Sequence, residues 1–145
     1  MLLRVLFYMI IHEKLIIYTD GGARGNPGPA ALGAVVQTAE GKLVKTYSEY
    51  LGEKTNNQAE YEALIFALRK VKIYKPKEIT CFLDSELVVK QLNAEYKIKD
   101  PDLGPLFIKV WNLKLDFEKV IFNHISREKN KEADKLVNQK LDQKI

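Results

Sequence analysis

Residues 14–20 read KLIIYTD and lead straight into GGARGNPGP at residues 21–29. The heptapeptide is apolar at both sets of alternating positions. That is the pattern of a strand covered on its two faces, and it predicts the middle of a sheet. Upstream, residues 1–11 (MLLRVLFYMII) are apolar apart from Arg4. A bilayer span needs roughly 18 or more apolar residues, so this stretch is too short to cross a membrane. A secretory leader needs a charged start and a small-residue cleavage site, whereas His12-Glu13-Lys14 follow here. We therefore read residues 1–13 as an apolar N-terminal extension, or as an over-long start if Met9 initiates the chain. Residues 14–145 are expected to form one domain in the cytoplasm.

Downstream of the glycine-rich turn, Ala31–Thr38 and Lys42–Leu51 read as two strands of a hairpin joined around Ala39-Glu40-Gly41. Thr55-Asn56-Asn57 supplies helix-start chemistry, and Leu64, Leu68 and Val71 recur at helical spacing behind it. Pro76 closes that helix. Glu78–Leu83 (EITCFL) is a short apolar strand and Ser85–Asn93 a short helix. A loop over Ala94–Pro105 leads to a helix at Leu106–Leu115, a strand at Lys119–Ile125 and a closing helix at Asn130–Gln143. An antiparallel meander that later takes on crossovers through helices makes a mixed α/β sheet with helices on its faces.

The chain has 145 residues, with 23 Lys and Arg against 19 Asp and Glu, a formal net charge of +4. This length fits one domain with a real core. A single cysteine excludes a disulfide scaffold and a cysteine-based zinc cage, and it suits a reducing compartment. His12 and His124 show no metal-ligand spacing. The glycines invite a phosphate-loop reading that fails: Gly22, Gly25 and Gly28 do not make GxGxxG, and no Gly-Lys-Ser/Thr follows. Pro27 and Pro29 also prevent a helix from starting there. No GxSxG nucleophile elbow is present.

Four acids occupy more telling positions. Asp20 ends the central strand on the face of Ile16 and Tyr18, and Asp84 ends EITCFL on the face of Thr80 and Phe82. Ligand sites in open α/β sheets gather beyond such strand ends. Glu60 lies early in its helix on the side of Leu64 and Ala67, and Asp134 is flanked by Ala133 and Leu136. Each has an ordinary alternative: a turn at Asp20-Gly21, a helix cap at Asp84, surface charges at Glu60 and Asp134. Taken together, carboxylates at apolar sheet edges cost free energy unless paired or metal-bound, and hard Mg²⁺ prefers carboxylate oxygens.

YTDGGARGNPGPAALG, TNNQAEYEAL, LDSELVVKQL and HISREKNKEAD resemble, in order and spacing, the motifs of type 1 ribonuclease H. The similarity runs from Lys14 to the C-terminus. It implies the ribonuclease H-like fold: a three-stranded antiparallel meander plus two parallel strands in one five-stranded sheet, with helices on both faces. The family's metal-binding carboxylates fall on Asp20, Glu60, Asp84 and Asp134. The implied activity is endonucleolytic hydrolysis of the RNA strand of an RNA–DNA hybrid, leaving 5′-phosphate and 3′-hydroxyl ends. Two Mg²⁺ ions about 3.5–4 Å apart, which Mn²⁺ can replace, suit this ligand set. Asp20 would bridge both ions, with Glu60 and Asp84 on the attacking-water side and Asp134 on the other metal.

The resemblance also implies that Asn26, Asn56 and Asn57 contact the hybrid in its minor groove, where amides suit a 2′-hydroxyl. Thr55 matches a DNA-phosphate position; helix capping and turn chemistry are the alternatives for these polar residues. Two departures point to an archaeal-type branch. The glycine-containing histidine loop of the best-known bacterial pattern is missing, so the auxiliary catalytic role falls to His124 or, as HxxRE suggests, to Arg127, which can stabilise charge but cannot act as a base. The basic protrusion is also missing, since Ala94–Asp102 carries two lysines against three acids. Grip on the substrate would then come from lysines such as Lys109 and Lys114 or from the closing helix. The branch implies double-stranded RNA as a second substrate class. A same-fold nuclease for duplex RNA and a non-catalytic hybrid-binding module are the rival readings, and a monomer is the default.

Overall fold

The structure, a computed structural model, describes residues 2–4 and 13–143. Most of the apolar N-terminal extension therefore lies outside the described residues. Five strands form one sheet in the order β3-β2-β1-β4-β5. They are β1 (Lys14–Ala23), β2 (Gly28–Thr38), β3 (Leu43–Lys54), β4 (Glu78–Leu83) and β5 (Lys119–His124). β1 pairs antiparallel with β2, and β2 with β3, whereas β1–β4 and β4–β5 are parallel. This is the mixed sheet expected, with KLIIYTD at its centre.

Alternation along β2 explains the layers. Ala34 and Val36 face one side, where they join Leu15, Ile17, Tyr61, Leu64 and Leu68 in the main core. Ala31 faces the other side and meets Val137 and Leu141 in a smaller cluster. The first side is covered by α1 (Asn56–Val71), and the second by α4 (Lys131–Gln143). Two more helices follow β4: α2 (Glu86–Leu92) and α3 (Gly104–Lys114).

Several boundaries depart from the sequence reading. β1 runs on to Ala23, paired with Ala30, and β2 starts at Gly28, opposite Lys54 of β3. Glycine and proline punctuation suggested a turn over residues 21–29, but only residues 24–27 leave the ladder, because Pro29 still offers a carbonyl, which accepts from Arg24 N–H at 2.8 Å. Asp20 therefore lies within β1 and not at its end. α3 begins at Gly104, with Pro105 in its first turn, where a missing N–H costs nothing. Asn130 closes a 3₁₀ turn (Arg127–Asn130), and α4 starts one residue later than expected.

Candidate active site

Parallel pairing of β1 with β4 stops at Tyr18 and Phe82, whose rings stack with centroids 5.1 Å apart. Beyond that stack β1 continues beside β2 alone, so a gap opens between the two parallel strands. Asp20 and Asp84 stand in this gap, the place where open α/β sheets bind ligands. Asp84 is not the cap of α2: the Ser85 hydroxyl accepts from Val88 N–H, which leaves the neighbouring carboxylate for other work.

Two glycines bring the remaining acids in. A Cβ on Gly21 would lie 2.1 Å from the Ala59 carbonyl oxygen and 2.5 Å from Glu60 N. α1 thus rests directly on β1 one residue past Asp20, which carries Glu60 to it. On the opposite face a Cβ on Gly33 would lie 2.5 Å from the Ala133 carbonyl oxygen, so α4 sits equally close and presents Asp134. The four carboxylates line one cleft of about 390 Å³. Carboxylate oxygens of Asp20, Glu60 and Asp84 lie within 4.8 Å of one another; Asp134 stands outside that tighter group.

Asp20 and Glu60 are only 7% and 6% exposed. Burial, and then the charge of Asp84, pushes Asp20 up to about 7, while burial and then the charge of Asp20 holds Glu60 well above the usual carboxylate range. One buried oxygen of Glu60, Oε2, has no hydrogen-bond partner among the described residues. Converging hard oxygens, mutual repulsion and an orphaned carboxylate oxygen are what a divalent cation would resolve, so the residues fit a metal centre.

The other expected site residues divide. Arg127, exposed on the 3₁₀ turn, lines the cleft with the acids. His124 is not among the residues lining it; its Nε2 lies 3.2 Å from the Asp84 carbonyl oxygen, to which the Nε2-protonated ring donates. Thr55 caps α1 in a reciprocal box with Gln58. Asn26 Oδ1 accepts from Asn56 N–H, and Asn56 Oδ1 accepts from Ala23 N–H, both at 2.9 Å. These bonds clip the 24–27 turn to the start of α1 beside the cleft, and they leave both amide NH₂ groups without an acceptor among the described residues. Asn57 is half-buried and makes none of these bonds.

Two residues at the site were not singled out in the sequence. Arg24 lines the cleft and pairs with Asp142 at 2.7 Å. Asn130, 1% exposed, donates from Nδ2 to the Thr19 carbonyl and to Asp84 Oδ2. The sequence marks Asn130 only as the first residue of the closing helix. Its spacing from the residues that it contacts, 111 and 46 positions away, leaves no local signal.

Known proteins resemble this one throughout the described domain. The family model described as reverse transcriptase-like matches residues 18–140. Ribonuclease HI of Halobacterium salinarum is 41% identical over 125 residues, which cover 86% of this chain and 63% of that protein. The crystal structure of ribonuclease H1 from the same archaeon matches with a TM-score of 0.87 at 39% identity, over 90% of this chain and 98% of that one. LC11 ribonuclease H1, isolated from compost and crystallised in complex with an RNA/DNA hybrid, matches with a TM-score of 0.85 at 46% identity, over 89% and 97%. The chain spans only 36% of a bifunctional protein of Mycobacterium tuberculosis, to which it is 40% identical over 130 residues.

Proposed function

Because this chain belongs to the ribonuclease H family, we propose that it is an endonuclease that hydrolyses the RNA strand of RNA–DNA hybrids with Mg²⁺, which Mn²⁺ can replace. The observation that carries the reading is the set of carboxylate oxygens of Asp20, Glu60 and Asp84 within 4.8 Å, in a cleft that Asp134 also lines. A module that merely binds hybrids has no use for buried acids that repel one another.

Asp20, Glu60, Asp84 and Asp134 would hold the cations, with Asp20 the most central of the four acids. Bound there, two divalent cations supply an activated water on one side of the scissile phosphate and charge stabilisation for the departing 3′ oxygen on the other. Water adds to phosphorus, the P–O3′ bond breaks, and the 3′ oxygen takes up a proton, which leaves 5′-phosphate and 3′-hydroxyl ends. Arg127 supplies positive charge at the cleft, where it neutralises the phosphate as it leaves. His124, tied to the Asp84 backbone, supports the position of that residue and is the weaker candidate for the auxiliary role. Asn26 and Asn56, with their oxygens committed to the backbone, offer NH₂ donors to a 2′-hydroxyl; Asn57 and Thr55 flank them on the substrate path.

All four acids come from one chain, which supports a monomer as the working unit. The buried free thiol of Cys81 suits a reducing compartment such as the cytoplasm. Among the described residues no helix is long and apolar enough to cross a membrane.

The test is cleavage of end-labelled RNA–DNA hybrid, duplex RNA and duplex DNA in Mg²⁺, by the wild type and by Asp20→Asn. We expect cuts in the RNA of the hybrid that vanish in the variant, with duplex RNA a slower second substrate. Duplex RNA cut faster than the hybrid would reassign the main substrate. Hybrid binding without any cut in Mg²⁺ or Mn²⁺ would make the chain a binding module.

A further inference from the structure

We propose that Asn130 is a positioning residue that holds the Asp84 carboxylate in the geometry needed for cation binding, an inference that rests on the metal-dependent reading above. Its amide nitrogen donates to the Thr19 carbonyl at 2.9 Å and to Asp84 Oδ2 at 3.2 Å. Both partners are acceptors, so the orientation of the amide is forced. Its own oxygen, Oδ1, is buried with no hydrogen-bond partner among the described residues. Leaving a buried acceptor unpaired costs free energy, so this side chain is a poor choice for stability alone. What the position uses is the pair of donors.

Those donors join three remote pieces of the chain at one point. Thr19 immediately precedes Asp20 on β1, Asp84 immediately follows β4, and the 3₁₀ turn that ends in Asn130 carries Arg127. The bond from Asn130 is the one side-chain hydrogen bond that the Asp84 carboxylate makes among the described residues. Asp84 lies where β1 and β4 have parted, so no ladder neighbour fixes its side chain. Asn130 ties one of its oxygens and leaves the other uncommitted. An apolar residue of similar size would fill the same space but let the carboxylate rotate, and the Arg127 turn would lose its anchor to the central strand.

The experiment is calorimetric titration of Mn²⁺ into the full chain without substrate, for the wild type, Asn130→Ala and Asn130→Ser, followed by hybrid cleavage as a function of Mg²⁺. Loss of a partner that orients a ligand weakens metal binding by about 10-fold or more. We expect that drop in Mn²⁺ affinity in Asn130→Ala, a matching rise in the Mg²⁺ needed for half-maximal kcat, and an unchanged KM for the hybrid. Wild-type binding with equal affinity and unchanged Mg²⁺ requirement in both variants would overturn the inference and leave the nuclease reading intact. A wild type that binds no Mn²⁺ would overturn both. Should neither variant fold, the Asn130 side-chain NH₂ signals in a ¹⁵N NMR spectrum of the wild type decide: across a Mg²⁺ titration they shift in step with the backbone signals of Asp84 if Asn130 holds that carboxylate, and stay put if it is only structural.

Discussion

Asp20 and Glu60 are held in positions that destabilise the free protein. Asp20 ionises at about 7 in the folded chain against 3.8 for an unperturbed aspartate, mainly because it is buried and next because Asp84 lies near. A carboxyl whose folded pKa is raised binds its proton more tightly in the native state. The native state is therefore unpenalised below about pH 4, and it loses stability as pH rises from there through 7. Across that window the loss should reach at most about 4 kcal/mol. Thermal melts in chelator should show the wild type less stable at pH 8 than at pH 5, and Asp20→Asn should flatten this slope while abolishing cleavage. Saturating Mg²⁺ should raise the melting temperature of the wild type at pH 8 and leave the variant nearly unmoved. The four acids were legible in the sequence because two close apolar strand-like runs and two sit among apolar helix residues. The ordinary alternatives for two of them fail on specific bonds: Ser85 takes the capping role offered to Asp84, and β1 runs straight through Asp20-Gly21. Asn130 was not legible, because its meaning lies in partners that only the fold assembles.

At the scale of elements, the site depends on how closely two helices lie on the sheet. Gly21→Ala would drive a methyl group into the Ala59 backbone, and α1 would have to lift. Overpacking of this kind costs about 1–3 kcal/mol. Denaturant unfolding should register that loss, and hybrid cleavage should fall by more than stability alone explains, because Glu60 moves with the helix. Thr55 and Gln58 exchange bonds at the start of the same helix, with Thr55 N–H donating to Gln58 Oε1 at 2.8 Å. Thr55→Ala should lower stability by roughly 1 kcal/mol, and Thr55→Ser should restore most of it. Strand and helix types were readable from periodicity, and the capping position from Thr55 itself. The lengths of β1 and β2 were not. Glycine and proline mark turns statistically, but here Gly28 and Pro29 stay in the ladder, because β3 extends to Lys54 to pair with them.

For the whole molecule, the net charge of +4 conceals two opposed parts. Setting aside the four cleft acids leaves 15 acids against 23 bases, a basic surface around a pocket that cations would close. The segment between α2 and α3 carries no basic protrusion, so phosphate contacts must be few and scattered. With roughly two to four of them, hybrid affinity should drop by about 10- to 100-fold between 50 and 200 mM salt. Fluorescence anisotropy in Ca²⁺ or with an inactive variant measures this, and a flat salt response would refute the electrostatic account. Cations held by the carboxylates would supply an activated water, and that water, not the ribose hydroxyl, would attack the phosphate. The ends of the cleaved RNA, analysed after reaction in chelator and after Mg²⁺ is restored, distinguish the two nucleophiles. No cleavage is expected in chelator, and with Mg²⁺ the ends should be 5′-phosphate and 3′-hydroxyl. Cleavage that persists in chelator and leaves 2′,3′-cyclic phosphates would mean that the ribose hydroxyl attacks, and would contradict attack by water.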